Sequence, residues 1–434
     1  MPYLKFPFRP LDHAMNTESP SFFTPQGFSP WAENVKLEQR SIKKRWGYTS
    51  DRSLGSGKEV QQIIHYVDAS GNNECLVLTD SDLIKRETGS SETWSYQTEK
   101  LTYTAKIASI SAATVTLKAG ETPATDGVVA NDYFILDDDY TAAAQPDTAW
   151  GKVQSVTNGP PPTITLTANY SGTTGTWTGV EKTGYVRQVY TTPNNERWTY
   201  AIVNDDVYFT NGNTNVQYYS GSGASAVDST NAKKARYCLE FAQRLVLADL
   251  EVSGSRSPIT IKYSVNGDPT DWTSTGSGSI DLLESEDYIT GLGKVGSSLV
   301  IYKSNSIITG YQVPDSTAPI ELPTHLPGVG CAAPYSIVPV RGTNVWIGRN
   351  DFFYMDAGKP TEIRPTIKHE FFELVEETEI KRAFGFVNHL EDEIIWVANT
   401  ASYGKLAFVW DFKTGEWYIY NYAGDITAGG KGGI

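Results

Sequence analysis

The feature of this sequence that most limits its fold is a short unit that returns along most of the chain: apolar strand, polar turn, apolar strand carrying a tyrosine or phenylalanine, late aromatic. It is first legible at 60–94, VQQIIHYVDASGNNECLVLTDSDLIKRETGSSETW, with turns at Ala69-Ser70-Gly71-Asn72 and Thr79-Asp80-Ser81 and a closing Trp94. It recurs from Trp198, Ala235, Tyr288, Ala333 and Arg382, the last copy ending in a hairpin between Asp411 and Trp417. We count six such units, each roughly 25 to 40 residues long, a spacing typical of repeat architectures.

Apolar residues alternate with polar ones close to a period of two, and 38 Gly and 22 Pro punctuate the strands. One small meander cannot bury both of its faces, whereas several stacked about an axis can. A sandwich would share the alternation but not the repetition. The expected fold is therefore all-β, an irregular β-propeller of six to seven blades, with residues 1–100 as an N-terminal arm and first blade and 186–434 as the remaining blades.

Two stretches break the pattern. Residues 101–185 contain two Lys-[Ile/Val]-x-Ser-[Ile/Val] openings, at Lys106 and Lys152, each followed by [Val/Ile]-Thr-Leu. This reads as a duplicated hairpin pair forming an inserted small β-barrel or sandwich. Deleting it would leave Trp94 a short step from Tyr190, as expected of a surface-loop insertion. In RPTIKHEFFELVEET, Ile367, Phe371, Leu374 and Val375 fall on one helical face, which predicts a single amphipathic helix near 366–377, begun by Pro365 and Thr366.

Three cysteines, Cys75, Cys238 and Cys331, stand far apart with no C-x-x-C spacing, which argues for buried thiols and against a disulfide framework or zinc knuckle. The opening MPYLKFPFRPLDHAMN is broken by prolines, so no signal peptide is expected, and no apolar run is long enough to span a bilayer, so no membrane insertion is expected. With 36 Lys+Arg against 50 Asp+Glu the formal charge is −14, which disfavours broad binding to polyanions.

Candidate chemistry is thin. His65 lies within an apolar strand and reads as a blade-face residue. His369 has no second histidine four residues on, so the H-E-x-x-H geometry is missing. Asp137-Asp138-Asp139 could take calcium only if other oxygens converged, and consecutive side chains diverge. YSVNGDPTDW at 263–272 is similar to the Asp-box turn of sialidase-type propellers, a structural motif, but no arginine cluster accompanies it. No nucleophile motif or phosphate loop is present. We expect no enzyme activity and no cofactor or metal.

The opening SPWAENVKLEQRSIKKRWGY resembles the first strands of phage tail propellers. The blocks 291–313 and 328–363, then one helix, then AFVWDFKTGEWYIY, are similar in order and spacing to the packaged-DNA stabilisation, or tail nozzle, proteins of short-tailed phages. The resemblance covers roughly 30–60 and 235–420 and leaves the insert outside. It implies a virion structural protein in the tail or neck, assembled in the host cytoplasm. Such a protein forms a homohexameric ring on the portal or adaptor ring that retains packaged double-stranded DNA and passes it, without sequence specificity, on ejection. Such proteins usually carry further strands beyond the point where this sequence stops. In that setting the basic cluster Arg40, Lys43, Lys44 and Arg45 would face an acidic neighbour or DNA phosphates; its plainer reading is a solvated turn between strands. A channel that lets a polyanion slide should not hold it. Acidic channel-lining candidates are Asp80, Asp205, Asp206, Glu284, Glu286 and Asp287. A carbohydrate-binding or glycan-cleaving propeller, or a receptor-binding tail protein, is the alternative.

Overall fold

The computed structural model describes residues 59–429 with short interruptions, the longest at 87–93, 140–149 and 228–233, and the backbone of a hairpin at Val35–Glu38 and Ser41–Lys44. Six four-stranded antiparallel sheets form the blades of a β-propeller, at 60–96, 199–226, 235–281, 289–327, 338–362 and 384–420. Each takes its strands from one continuous stretch in simple meander order. The count settles at six. The N-terminal hairpin forms a two-stranded sheet of its own beside the outermost strand of blade 6 and contributes no strand to a blade.

The second strands show why the blades stack. Asp206–Thr210, Ser298–Lys303, Thr343–Ile347 and Glu393–Thr400 are buried along nearly their whole length, because a neighbouring blade covers each face. These stretches therefore read as continuous apolar runs, while strict alternation survives where one face meets solvent. Apolar clusters fill the seams. Ile64, Leu78, Trp198 and Phe209 join blades 1 and 2. Val203, Tyr208, Leu245 and Leu247 join 2 and 3. Phe241, Ile261, Ile301 and Ile308 join 3 and 4. Tyr302, Ile307, Trp346 and Met355 join 4 and 5. Between blades 5 and 6 the cluster is largest, around Phe352, Trp396, Phe408 and Trp417.

The predicted helix is present but broken in two. α1 (Lys368–Leu374) and α2 (Glu377–Ile380) flank Val375 and Glu376, both extended. Ile367, Phe371, Val375 and Ile380 are all buried against blades 5 and 6. Continuing one helix would carry Ile380 off that face, since nine positions past Phe371 is a half-integral number of turns. Pro365 lies outside the described residues.

The insert is a barrel. Its eight-stranded sheet contains, in order, Ile107–Ser111, Thr114–Leu117, Thr163–Leu166, Gly151–Thr157, Tyr133–Leu136 and Gly184–Arg187. Ile107 then pairs with Lys182, which brings the last of these strands back to the first. The two repeated hairpins meet through Val115 and Ile164, and Ile107, Phe134, Val153 and Leu166 fill the interior. The barrel's neck is the pairing of Lys100–Leu101 with Val186 and Arg187, so its boundaries lie just outside 101–185.

Chain exit and return are adjacent. Gln97 N–H donates to the Leu83 carbonyl (2.8 Å) and Tyr190 N–H to that of Ser81 (2.9 Å), so the two crossing points stand about 7 Å apart along one strand. Replacing 99–189 by a Gly-Ser-Gly link is expected to leave a cooperatively folding propeller whose thermal midpoint falls by less than about 4 °C. Loss of the cooperative transition in a calorimetric scan would contradict it.

Candidate functional site

The innermost strands all run the same way, so their first residues gather at one face, here called proximal, and their last at the distal face. Between them lies an axial cavity of about 540 Å³. Its wall is mainly apolar, with Tyr200, Ile202, Leu239, Leu292 and Phe386 contributed by four of the blades and Ile337 by the residue just before blade 5. At the distal mouth Lys294 pairs with Glu240 at 2.8 Å. A second cavity, about 400 Å³, opens at the proximal face beside Glu196, Arg236, Arg256, Tyr288, Thr290 and Lys381.

Tyr237, Pro334 and Tyr335 line both cavities and separate them. The Tyr335 hydroxyl donates to Glu196 Oε2 and accepts the Arg197 N–H, each at 2.9 Å. Glu196 also pairs with Arg236, and Asp249 is gripped by Arg256 with Arg236 at 3.6 Å. Burial raises the Glu196 carboxyl above its ordinary range despite the opposing pull of Arg236, and raises the Tyr335 and Tyr237 hydroxyls well above theirs. Both tyrosines therefore remain neutral at any ordinary pH, and Tyr335 is held by these two hydrogen bonds.

Arg197 lies on the other side of this plug. Its Nη2 donates to the Gln61 carbonyl (2.8 Å) and to that of Thr427, and its guanidinium lies 4.0 Å over the Phe384 ring. One side chain thus ties together blades 1, 2 and 6 and the segment after blade 6. Burial brings its pKa down to about 10, still far enough above neutrality to keep it charged.

The residues singled out from sequence do not converge. Asp80 lies in the turn after the second strand of blade 1 and accepts Glu59 N–H at 3.3 Å. Asp205 and Asp206 lie at the first turn of blade 2, where Asn204 and Asp205 both hold positive φ. Glu284, Glu286 and Asp287 occupy the link from blade 3 to blade 4. By strand direction, Asp80 and this link belong to the proximal face and Asp205–Asp206 to the distal one. None of the six lines the axial cavity. Asp287 is instead a structural partner of the buried Lys303, at 3.0 Å. Of the basic cluster, Lys43 and Lys44 belong to the second strand of the N-terminal hairpin, which corrects their placement in a turn. Arg40 and Arg45 lie outside the described residues.

The other candidates have local roles. Asp139 accepts from Tyr170 Oη (2.9 Å) and Thr173 N–H (2.8 Å), while Asp138 pairs with Lys182. Cys238 and Cys331 are buried free thiols pushed up to about 12 by that burial. His65 faces Cys75 across a strand pair. His389, just past the first strand of blade 6, lines the axial cavity. Among the described residues no group of three His, Cys, Asp or Glu is placed to hold a metal ion, and no helix is long and apolar enough to cross a membrane.

Sequence reasoning missed Glu196, Arg197, Tyr335 and Lys303. A signal existed for the first two: an acid and a base side by side directly before the apolar strand that Trp198 opens. None existed for Tyr335, whose hydroxyl partners are more than a hundred positions away in the chain.

The fold and cavities define the chain as a six-bladed β-propeller with a barrel insert. No protein-family model matches it, and no curated protein does. Among solved structures it is similar to Hsv2 of Kluyvelomyces marxianus, at 9% identity and a TM-score of 0.29, over 50% of this chain and 61% of that one. It is also similar to the computationally designed Ika8 protein, at 11% identity and a TM-score of 0.36, over 86% of this chain and 91% of that one.

Proposed function

We propose that this chain is a structural subunit of a short-tailed phage particle, a ring-forming tail nozzle component that extends the portal–adaptor channel, retains packaged DNA and releases it on ejection. The supporting observation is that the segments carrying the sequence resemblance fall in order on successive blades and on the helices between them. Residues 291–313 span the first three strands of blade 4, 328–363 are blade 5 with its lead-in, α1 and α2 follow, and 407–420 close blade 6. A likeness spread over successive blades in order is a likeness of architecture rather than of one loop.

On this reading the chain performs no chemistry of its own. The axial cavity, about 540 Å³ and flanked by Tyr237, Pro334 and Tyr335, is far too small to pass a duplex, so on this reading DNA passes along the ring's axis, between subunits. The hairpin bearing Lys43 and Lys44 sits beside the outermost strand of blade 6. That rim position suits a contact with an acidic neighbour, repeated by symmetry around the ring. Light scattering on the purified full chain tests the proposal: it predicts a particle of six times the 47.7 kDa protomer. A monomer that binds glycans would contradict it and support the carbohydrate-binding alternative.

A further inference from the structure

We infer that the axial cavity is a binding site for an elongated apolar carboxylate, its head on the Arg197 guanidinium and its tail along the bore toward the distal mouth. The inference is independent of the phage reading, since it rests on the cavity alone.

Three observations carry it. The first is an uncompensated charge. Arg197 gives Nη2 to two backbone carbonyls and its flat face to Phe384, but among the described residues no carboxylate pairs with it. The acids around it are committed elsewhere or remote. Glu196 is turned away onto Arg236 and Tyr335, and Glu59 is exposed and acts only through space. Among the described residues Nε and Nη1 have no hydrogen-bond partner, and Arg197, only partly buried, lines the axial cavity. A guanidinium presents a planar fork suited to a carboxylate.

The second observation is Gln61, also on the cavity wall, whose Oε1 is sealed and without a partner. A terminal amide can be turned over within the same space, so Gln61 offers either an acceptor or a donor to a head group on Arg197.

The third is the wall beyond. Tyr200 is 36% accessible although the innermost strands enclose it, so that accessible surface is cavity wall. Ile202, Leu239, Leu292, Ile337 and Phe386 extend this apolar wall, which is interrupted by Asn344, His389 and the Lys294–Glu240 pair. From Arg197 to Ile202 an extended strand covers about 16 Å, and the 540 Å³ volume lies in the range of small-molecule pockets. A bare anion would leave this apolar wall uncovered, and a neutral apolar molecule would leave Arg197 unpaired. At the distal mouth the Lys294–Glu240 pair cancels its own charge and does not repel an entering carboxylate.

The test is calorimetric titration of the full chain with decanoate, decanol and inorganic phosphate. Decanoate is expected to bind once per chain and more tightly than decanol. Arg197→Gln is expected to weaken decanoate about 10- to 100-fold, the loss of one charge-assisted hydrogen-bonded contact, and to change decanol less than about 3-fold. Leu239→Trp, which fills the bore without touching Arg197, is expected to abolish both. Should Arg197→Gln fail to fold, the decanoate-over-decanol preference and the Leu239→Trp result decide alone. Equal affinity for decanoate and decanol, displacement of decanoate by equimolar phosphate, or no saturable binding of decanoate at 1 mM would each overturn the inference.

Discussion

Replacing Phe352 by alanine is expected to destabilise the chain by about 3–5 kcal/mol, the upper range for truncating a buried aromatic. Phe352 is fully buried in the third strand of blade 5, where blade 6 and α1 meet it. Its ring stands at 5.0 Å from Phe371, 5.1 Å from Trp396 and 5.0 Å from Trp417, mostly edge to face. Each such pair adds about 0.5–1.5 kcal/mol beyond area burial. None of the three partners can collapse into the gap, because each is itself wedged: Trp396 stacks on Trp417 and Phe371 meets Phe408 at 4.8 Å. The urea-unfolding free energy checks this, with Phe352→Leu expected to cost clearly less. A loss below about 1 kcal/mol for the alanine variant would mean that the seam between blades 5 and 6 is not the close-packed unit described.

The second large effect is expected at Lys303, whose side chain is fully buried at the end of the second strand of blade 4. Its ammonium donates to Ser285 Oγ (2.7 Å) and the Ser285 carbonyl (3.3 Å), and lies 3.0 Å from Asp287. Lys303→Met keeps most of the aliphatic volume but removes the charge that balances Asp287, and leaves buried acceptors without a donor. Breaking one side of a buried pair in this way costs about 3–5 kcal/mol. Lys303→Met with Asp287→Asn is expected to recover part of that loss, and the difference between single and double variants measures the coupling.

Asp287 also sets a pH signature. Burial by itself would raise its carboxyl, but hydrogen bonds from Ser285, Lys303, Ser306 and the Asn305 N–H outweigh it and hold the group at about 2. A folded-state value below the ordinary 3.8 means that the carboxylate stabilises the fold fully above about pH 4. That contribution is lost as the pH falls from about 4 toward 2. Asp287→Asn is expected to flatten the stability curve across this window and leave its shape near neutrality unchanged. An unaltered acid limb would contradict the assignment.

The legible parts of the sequence were those in which local pattern and tertiary role agree. Second strands such as LVIYK and NVWI declared themselves because burial on both faces demands continuous apolar residues. Outer strands did not. Ala224–Ala226, Gly278–Asp281 and Ile320–Pro327 were missed, because an edge strand that meets solvent needs little apolar character and tolerates Pro323 and Pro327. The hairpin turn at Ala242-Gln243 was equally silent: both residues hold positive φ without the Gly, Asn or Asp that usually marks such a turn. The acidic candidates rested on turn position alone, and turn position does not say which face a loop joins or what it touches. Asp287 illustrates this, since its partner Lys303 is visible only once two strands are paired. Arg197 and Tyr335 lie 138 positions apart and are joined by a 2.9 Å hydrogen bond that only closure of the ring of blades creates.

The central claim is that six contiguous meanders stack about a plugged axis to make a building part for a larger ring. Electron cryo-microscopy of the full chain at a resolution that separates strands tests it most directly. The account predicts six four-stranded blades in each subunit, density from Tyr237 and Tyr335 across the subunit's own axis, a barrel projecting between blades 1 and 2, and six subunits around an open channel. Isolated subunits at every concentration, or two sheets facing each other in place of radial blades, would contradict it.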